Sequence, residues 1–457
     1  MLKQGWNKNN YPVSRINKNL INLRYHKLRY CMKRILYTFL LFLFVPTFLP
    51  AQNINGRITS MFYSFQRFDS PGSSTKYIRN YDMLSLNVNK NNYSLRTLFN
   101  YETDFSYQQT YDPRVRFYNL YVEGRNLFNV AAVKLGRQPV INSISGGVFD
   151  GATVKVNYWD IQFTGYYGAN VPAYQKLELT KDWSNNDIYG AKFTTSKLTN
   201  FFFGLSYLHK NYKPNDYSAL RLDSLLNPYT AIIKREASKF DFVSAEASFD
   251  NLKGLSIDTR YNFDLNYVKT SLFELQGRYE AVQNLGLLFY YNFREPLLKY
   301  NTILSVFDGQ NSQEFEVGAD YRISPTLTIL AKVGDVQYND ETSQRISIGC
   351  NTSYGSIFYR KNLGYAGELD AISLSTGYSF FEGKLTPSIG ADFTHYKLTP
   401  EDKTQNLATF LANVNVRPWR MLSFDLQGQF LNNPLYKQDF RFMFKINYWF
   451  NTNLNVM

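Results

Sequence analysis

The chain has 457 residues, a formal net charge of +13, and 37 tyrosines and 37 phenylalanines against only 19% charged residues. Nine of its 50 lysines and arginines fall in the first 34 residues with no acid beside them; the other 41 nearly balance the 37 acids, so the basic excess marks no nucleic-acid surface. Two cysteines, Cys31 and Cys350, exclude a disulfide framework and a clustered metal site, and no cofactor is expected.

Residues 1–31 carry no clean apolar face and read as a mis-assigned upstream start, or a disordered basic lead, before a true start at Met32. "MKRILYTFLLFLFVPTFLPAQ" (32–52) then has the form of a secretory signal. Lys33 and Arg34 supply the positive end. Ile35–Leu49 is apolar but short of the ~20 residues of a helical span, and Pro46 interrupts it. Leu49-Pro50-Ala51 offers a cleavage site before Gln52, with an uncleaved anchor helix as the competing reading. Gln52, not a cysteine, directly follows the site, which argues against a lipoprotein. Cleavage there leaves Cys350 as the single cysteine of residues 52–457.

Beyond Ala51 no strictly apolar run exceeds five residues, the longest being Leu287–Tyr291, so transmembrane helices are excluded. The chain instead alternates. "GLSIDTRYNFDLN" sets Leu255, Ile257, Thr259, Tyr261, Phe263 and Leu265 against Ser256, Asp258, Arg260, Asn262, Asp264 and Asn266. "EFEVGADYRI", "LSFDLQGQF" and "FRFMFKINYWF" repeat the device. A soluble sandwich would use shorter strands and would not place full charges on nearly every polar face. A lipid-facing barrel needs runs of ~9–11 residues, apolar outside and polar inside.

The connections separate into two sets. Short turns are expected at 89–92, 124–127, 159–160, 251–254, 323–326 and 381–384, and long loops at 69–76, 107–113, 138–149, 171–186, 211–238, 295–312 and 397–405. The fold class is therefore all-β: a transmembrane antiparallel up-and-down barrel over residues 52–457, of about 22 strands within a range of 18–22. The connection at 266–269 ("NYVK") is too short for its side and suggests a miscount. The first strand starts close to Gln52, which leaves no room for a plug domain and argues against a TonB-dependent transporter.

"KLGRQPVINSISGGVFDGATVKV" (134–156) interrupts the alternation with glycines and serines between two charged corners. The "GRQ" closing one strand and the "FDG" opening the next, over 135–152, resemble the alginate-export family and related bacterial outer-membrane porins. That resemblance implies a third outer loop that folds into the barrel and narrows it. Residues 138–149 then form the constriction, with Arg137, Gln138 and Asp150 fixing its ends and Lys134 and Lys155 facing the lumen by parity. Arg137 shares the outward parity of Val133 and Leu135, so it reaches the lumen only if Gly136 permits a bulge. An ordinary surface loop with an Arg–Asp pair at its base is the competing reading.

The loop at 211–238 is long enough to cap the mouth or bind a partner. His209 and His395 lie near outer strand ends, Asp392 falls on the face opposite His395, and neither a Gly-x-Ser-x-Gly elbow nor a His-Glu-x-x-His motif is present. Parity assigns Arg96, Glu102, Lys155, Asp258, Arg260, Glu274, Arg278, Glu280, Glu314, Glu316, Asp320, Arg322, Lys332, Asp425, Arg441 and Lys445 to the lumen. Their signs are mixed, unlike the ring of like charge that selects one ion. Tyr158, Trp159, Tyr448 and Trp449 are expected in interface girdles, and Phe450 is the terminal aromatic, although "NTNLNVM" follows it.

The expected protein is thus a non-enzymatic porin of a Gram-negative outer membrane. It would contact lipid and lipopolysaccharide and pass small hydrophilic solutes with weak selectivity, singly or as a homo-oligomer. Its rivals are a non-conducting scaffold barrel that anchors a partner complex and a barrel hydrolase.

Overall fold

In the computed structural model, residues 53–453 are described except 71–72, 107–112, 141–143, 145, 172–176, 199, 215, 252–253, 297–310, 339–340, 365–368, 398–400, 433 and 435–437. The lead 1–31, the signal segment 32–51 and most of the 295–312 loop lie outside the described residues.

Period-two alternation makes strands throughout. They are β1 (Asn53–Ser70), β2 (Ser73–Lys90), β3 (Tyr93–Asp104), β4 (Arg114–Leu127), β5 (Ala131–Pro139), β6 (Val148–Tyr158), β7 (Ile161–Asn170), β8 (Asp187–Leu198), β9 (Phe201–Tyr212), β10 (Tyr217–Leu222), β11 (Pro228–Ile233) and β12 (Ser238–Asn251). The second half adds β13 (Leu255–Asp264), β14 (Lys269–Val282), β15 (Leu285–Arg294), β16 (Ser312–Ser324), β17 (Leu327–Tyr338), β18 (Glu341–Thr352), β19 (Gly355–Gly364), β20 (Leu369–Gly377), β21 (Leu385–Tyr396), β22 (Gln405–Trp419), β23 (Leu422–Asn432) and β24 (Asp439–Thr452). One helical turn, α1 (Trp183–Asn186), sits before β8.

Twenty-two of these strands form one sheet in sequence order; β10 and β11 pair only with each other, so β9 pairs directly with β12. The sheet closes on itself, with β1 antiparallel to β24 from Ile54 opposite Thr452 to Ser64 opposite Phe442. Closure matters physically, because an open edge in hydrocarbon would leave a row of backbone donors and acceptors unpaired.

The expected count of strands is met, and most connections fall where the turn residues place them. Asn91, Asn200 and Asn284 occupy the left-handed backbone region in tight turns, a conformation that asparagine tolerates better than most residues. The "GRNL" turn expected at 124–127 is instead a bulged strand end, where the β4–β5 register shifts between Gly124 and Leu127. The chain reverses just beyond it, with Phe128 and Asn129 left-handed. The "NYVK" connection is a genuine tight turn, not a miscount, since β13 and β14 pair up to Asp264 opposite Lys269. Long and short connections therefore mix at that end of the barrel, while the described connections at the opposite end are short.

Candidate pore and constriction

The two faces of the wall differ in chemistry. Leu135, Val154, Phe163, Phe193 and Leu205 are exposed on one face, as are Phe315, Val333, Ile348, Ile389 and Phe410 farther round. That apolar face is the lipid face, and the alternate residues line the lumen. There the charges pair across strands. Arg260 donates to Glu274 at 2.6 Å and Lys332 to Glu316 at 2.8 Å. Arg278 reaches Asp320 at 2.9 Å and Glu280 at 3.8 Å, Lys445 reaches Asp425 at 3.1 Å, and Arg345 bonds Glu314. Arg96 and Lys134 share Glu123 at 3.3 and 3.8 Å, and Glu102 lies 3.8 Å from Arg79 and 3.5 Å from Arg114.

Several partners were not singled out in the sequence: Glu123, Arg79, Arg114, Arg345, Lys192, Glu246 and Asp439. Many were legible in principle from parity on their own strands. Their pairing was not, because some bridges skip a strand. Lys192 on β8 meets Glu246 on β12 at 3.2 Å over Gly204 of β9, and Arg278 on β14 meets Asp320 on β16 over Gly286 of β15. A Cβ on Gly286 would come within 2.4 Å of the Asp320 carboxylate and 2.5 Å of Arg278. Glycine on the lumenal face therefore lets long side chains lie flat along the wall.

Among the described residues Lys155 and Arg322 have no carboxylate partner. Lys155 stands between Ala132 and Thr164 in register, and Arg322 opposite Thr328 at the turn end of β16. Lys134, whose ammonium also lies 5.4 Å from the Tyr121 ring centroid, Lys155, Lys192 and Lys210 give the lumenal face of β5–β9 a basic character.

The same stretch of wall holds an apolar patch. Phe149, Tyr166, Ile188 and Leu208, one from each of β6–β9, lie on the lumenal parity, are 5% exposed or less, and carry Val140 and Ile144 packed against them. Val140 and Ile144 of the third loop thus turn inward over this patch. Its base closes where the Val140 N–H donates to the Gly147 carbonyl at 3.0 Å, with Gly147 at a φ of 144°, and Lys210 Nζ donates to the Gly146 carbonyl at 3.2 Å. Gln138, 1% exposed, donates to the Gly151 carbonyl at 3.1 Å. Residues 141–143 and 145 of this loop lie outside the described set.

Arg137 and Asp150 take a different place from the pore-lining one expected for them. They face each other in an unbroken register, on the parity of Leu135 and Ala152, so no bulge at Gly136 carries Arg137 into the lumen. Nε and Nη2 of Arg137 donate to the two oxygens of Asp150 at 2.7 and 2.9 Å. The pair is shielded by the fourth loop: Arg137 also donates to the Glu178 carbonyl at 2.7 Å, and the Thr180 N–H donates to Asp150 at 3.1 Å. The charged corners clamp one loop against the outside of the wall instead of lining the channel.

His209 also lies outward. Nδ1 is 2.6 Å from Asp241, Nε2 is 3.3 Å from Asp187, and the ring stacks on Tyr189 at 4.4 Å. Both ring nitrogens therefore face carboxylates, and among the described residues neither has a hydroxyl within hydrogen-bond reach that it could activate. His395 contacts Asn406 on the apolar parity of Ile389 and Phe393. Of the expected girdle residues, Tyr158, Trp159 and Tyr448 are exposed, whereas Trp449 lies on the lumenal parity of Lys445 and Asn447 beneath the Arg417 guanidinium, 5.2 Å away.

An antiparallel barrel with an apolar exterior and a charged, paired interior is a transmembrane β-barrel. No protein-family model matches the chain, and no curated protein matches it. Among solved structures it is similar to the translocation pore of the P pilus usher PapC, at 7% identity and TM-score 0.45, covering 87% of this chain and 99% of that one. It is also similar to Pseudomonas aeruginosa OpdK, solved with vanillate, at 8% identity and TM-score 0.42 with the same coverage. Pseudomonas aeruginosa OpdL is a further match, at 10% identity and TM-score 0.42, again covering 87% and 99%.

Proposed function

We propose that the protein is a porin of a bacterial outer membrane, a water-filled channel for passive diffusion of small hydrophilic solutes with weak ionic preference. The observation that carries this reading is the lumenal face: cations and anions pair along it on β2–β5, between β8 and β18 and across β23–β24, while bulky apolar residues occupy the other face. A non-conducting scaffold has no need of a charged interior. Export through the 32–51 signal places the long-loop end outside, against lipopolysaccharide, and the short turns in the periplasm.

Residues 138–149 set the narrowest point, supported by the packing of Ile144 on the lumenal patch and by the hold of Lys210 on Gly146. Lys134 and Lys155 give that point its charge. Arg260, Arg278, Glu316, Asp320 and Arg322 line the facing wall. Planar-bilayer recording tests the proposal. Steady unitary steps that widen on deletion of Asn142–Gly147 are expected, and silence at high protein loading would establish a scaffold barrel.

A further inference from the structure

We propose that the fourth outer loop is a lipid-seated collar: residues 177–186 lie on the outside of the barrel, and Leu177, Leu179 and Trp183 enter the outer leaflet. Three observations lead there. The loop is on the lipid side of the wall, since it covers the outward-facing Arg137–Asp150 pair, the Trp183 ring packs 6.0 Å from that of Tyr167, and outward-facing Ala169 beneath is 0% exposed. It is also at the right height. β5, β6 and β7 have 9, 11 and 10 residues, against 18 in β1 and β2. Strands of ~9–11 tilted residues barely cross the hydrocarbon, so the chain leaves β7 at the interface and not far above it.

The third observation is chemical. Leu179 is 68% exposed, Leu177 52% and Trp183 41%, and they continue the lipid face formed below by Leu135, Val154 and Phe163. The Trp183 indole N–H donates to the Thr180 carbonyl at 2.8 Å, so no donor is left bare when the ring enters an apolar layer. Lys181 and Glu178 pair with each other at 3.0 Å, both largely exposed, which suits the wet edge of the headgroups. Continuity with the lipid-facing wall singles out lipid as the occupant.

The test is a nitroxide at Leu179→Cys in the full chain carrying Cys31→Ser and Cys350→Ser, reconstituted in phosphatidylcholine–phosphatidylglycerol vesicles. Collision with oxygen, which concentrates in lipid, is compared with collision with a water-soluble nickel chelate. The expected ratio matches a label at Leu135→Cys on the wall and exceeds several-fold that at Lys403→Cys on an exposed loop. Adding Asp150→Asn, which loosens the clamp, moves the Leu179 label toward the Lys403 value. Heat-modifiable migration verifies that each variant is folded, and the readout is independent of conduction. A nickel-accessible Leu179 label, or one shielded from both reagents as by a second copy of the chain, overturns the proposal.

Discussion

Freeing the third loop from its seat should change the channel without disturbing the barrel. Val140 and Ile144 are the side chains that hold it on Phe149, Tyr166, Ile188 and Leu208. Both are only partly buried, so truncation falls at the low end of the range for core aliphatics: roughly 2 kcal/mol for Ile144→Ala and about 1 for Val140→Ala. Together they remove about 3 kcal/mol of docking free energy, which at ~1.4 kcal/mol per tenfold moves the docked-to-free ratio by roughly a hundredfold. The Lys210 bond to Gly146 remains, so the loop should exchange between positions instead of leaving permanently. Single-channel recording of the double variant should show a second, larger conductance level with frequent transitions. Leu225→Ala with Leu226→Ala, at the exposed tip joining β10 to β11, serves as the control and should leave the trace unchanged. Wild-type conductance and noise in the loop variant would place residues 140–147 away from the narrowest point and refute the reasoning.

Lys134→Glu puts two carboxylates beside each other at Glu123, and Lys155→Glu reverses a cation that has no carboxylate partner among the described residues; each should shift the reversal potential in a salt gradient toward cation preference, whereas Lys234→Glu beyond β11 should not. Arg137→Ala strands the Asp150 carboxylate, whose side chain is 5% exposed, at a cost of about 3–5 kcal/mol. Cleavage by trypsin at Lys181 and a lower temperature of heat modification should follow, and Arg137→Ala with Asp150→Ala should recover part of the loss. The Asp223 carboxyl, bonded by the backbone N–H of Asn227 and also by its side-chain amide and the Leu225 N–H, is held below its ordinary value of 3.8. A lowered value stabilises the turn fully above that pH and loses its effect as pH falls through the folded value. A nitroxide at Leu226→Cys should therefore keep its mobility from neutral pH down to about 4 and gain it only in stronger acid, and Asp223→Asn should abolish that dependence.

The barrel was legible in the sequence because a strand's two faces are set by nearest alternation, a local property that each segment carries alone. Leu255 to Asp264 sorts into outside and inside with no knowledge of its neighbours, and the same parity placed Arg137 outward beside Leu135. Tight turns were readable for a similar reason, since asparagine at Asn91, Asn200 and Asn284 supplies the backbone conformation on the spot. What lies across a face is a different matter. The patch under the third loop draws Phe149, Tyr166, Ile188 and Leu208 from four strands, each looking like an ordinary lumenal position in its own run. The Arg137–Asp150 pair was visible, but the segment that covers it begins some forty residues along the chain at Glu178. Ion pairs such as Lys192–Glu246 leap a strand only because a glycine lies between. Closure and register decided these contacts: they bring distant residues to one height on one wall, and no local pattern encodes that height.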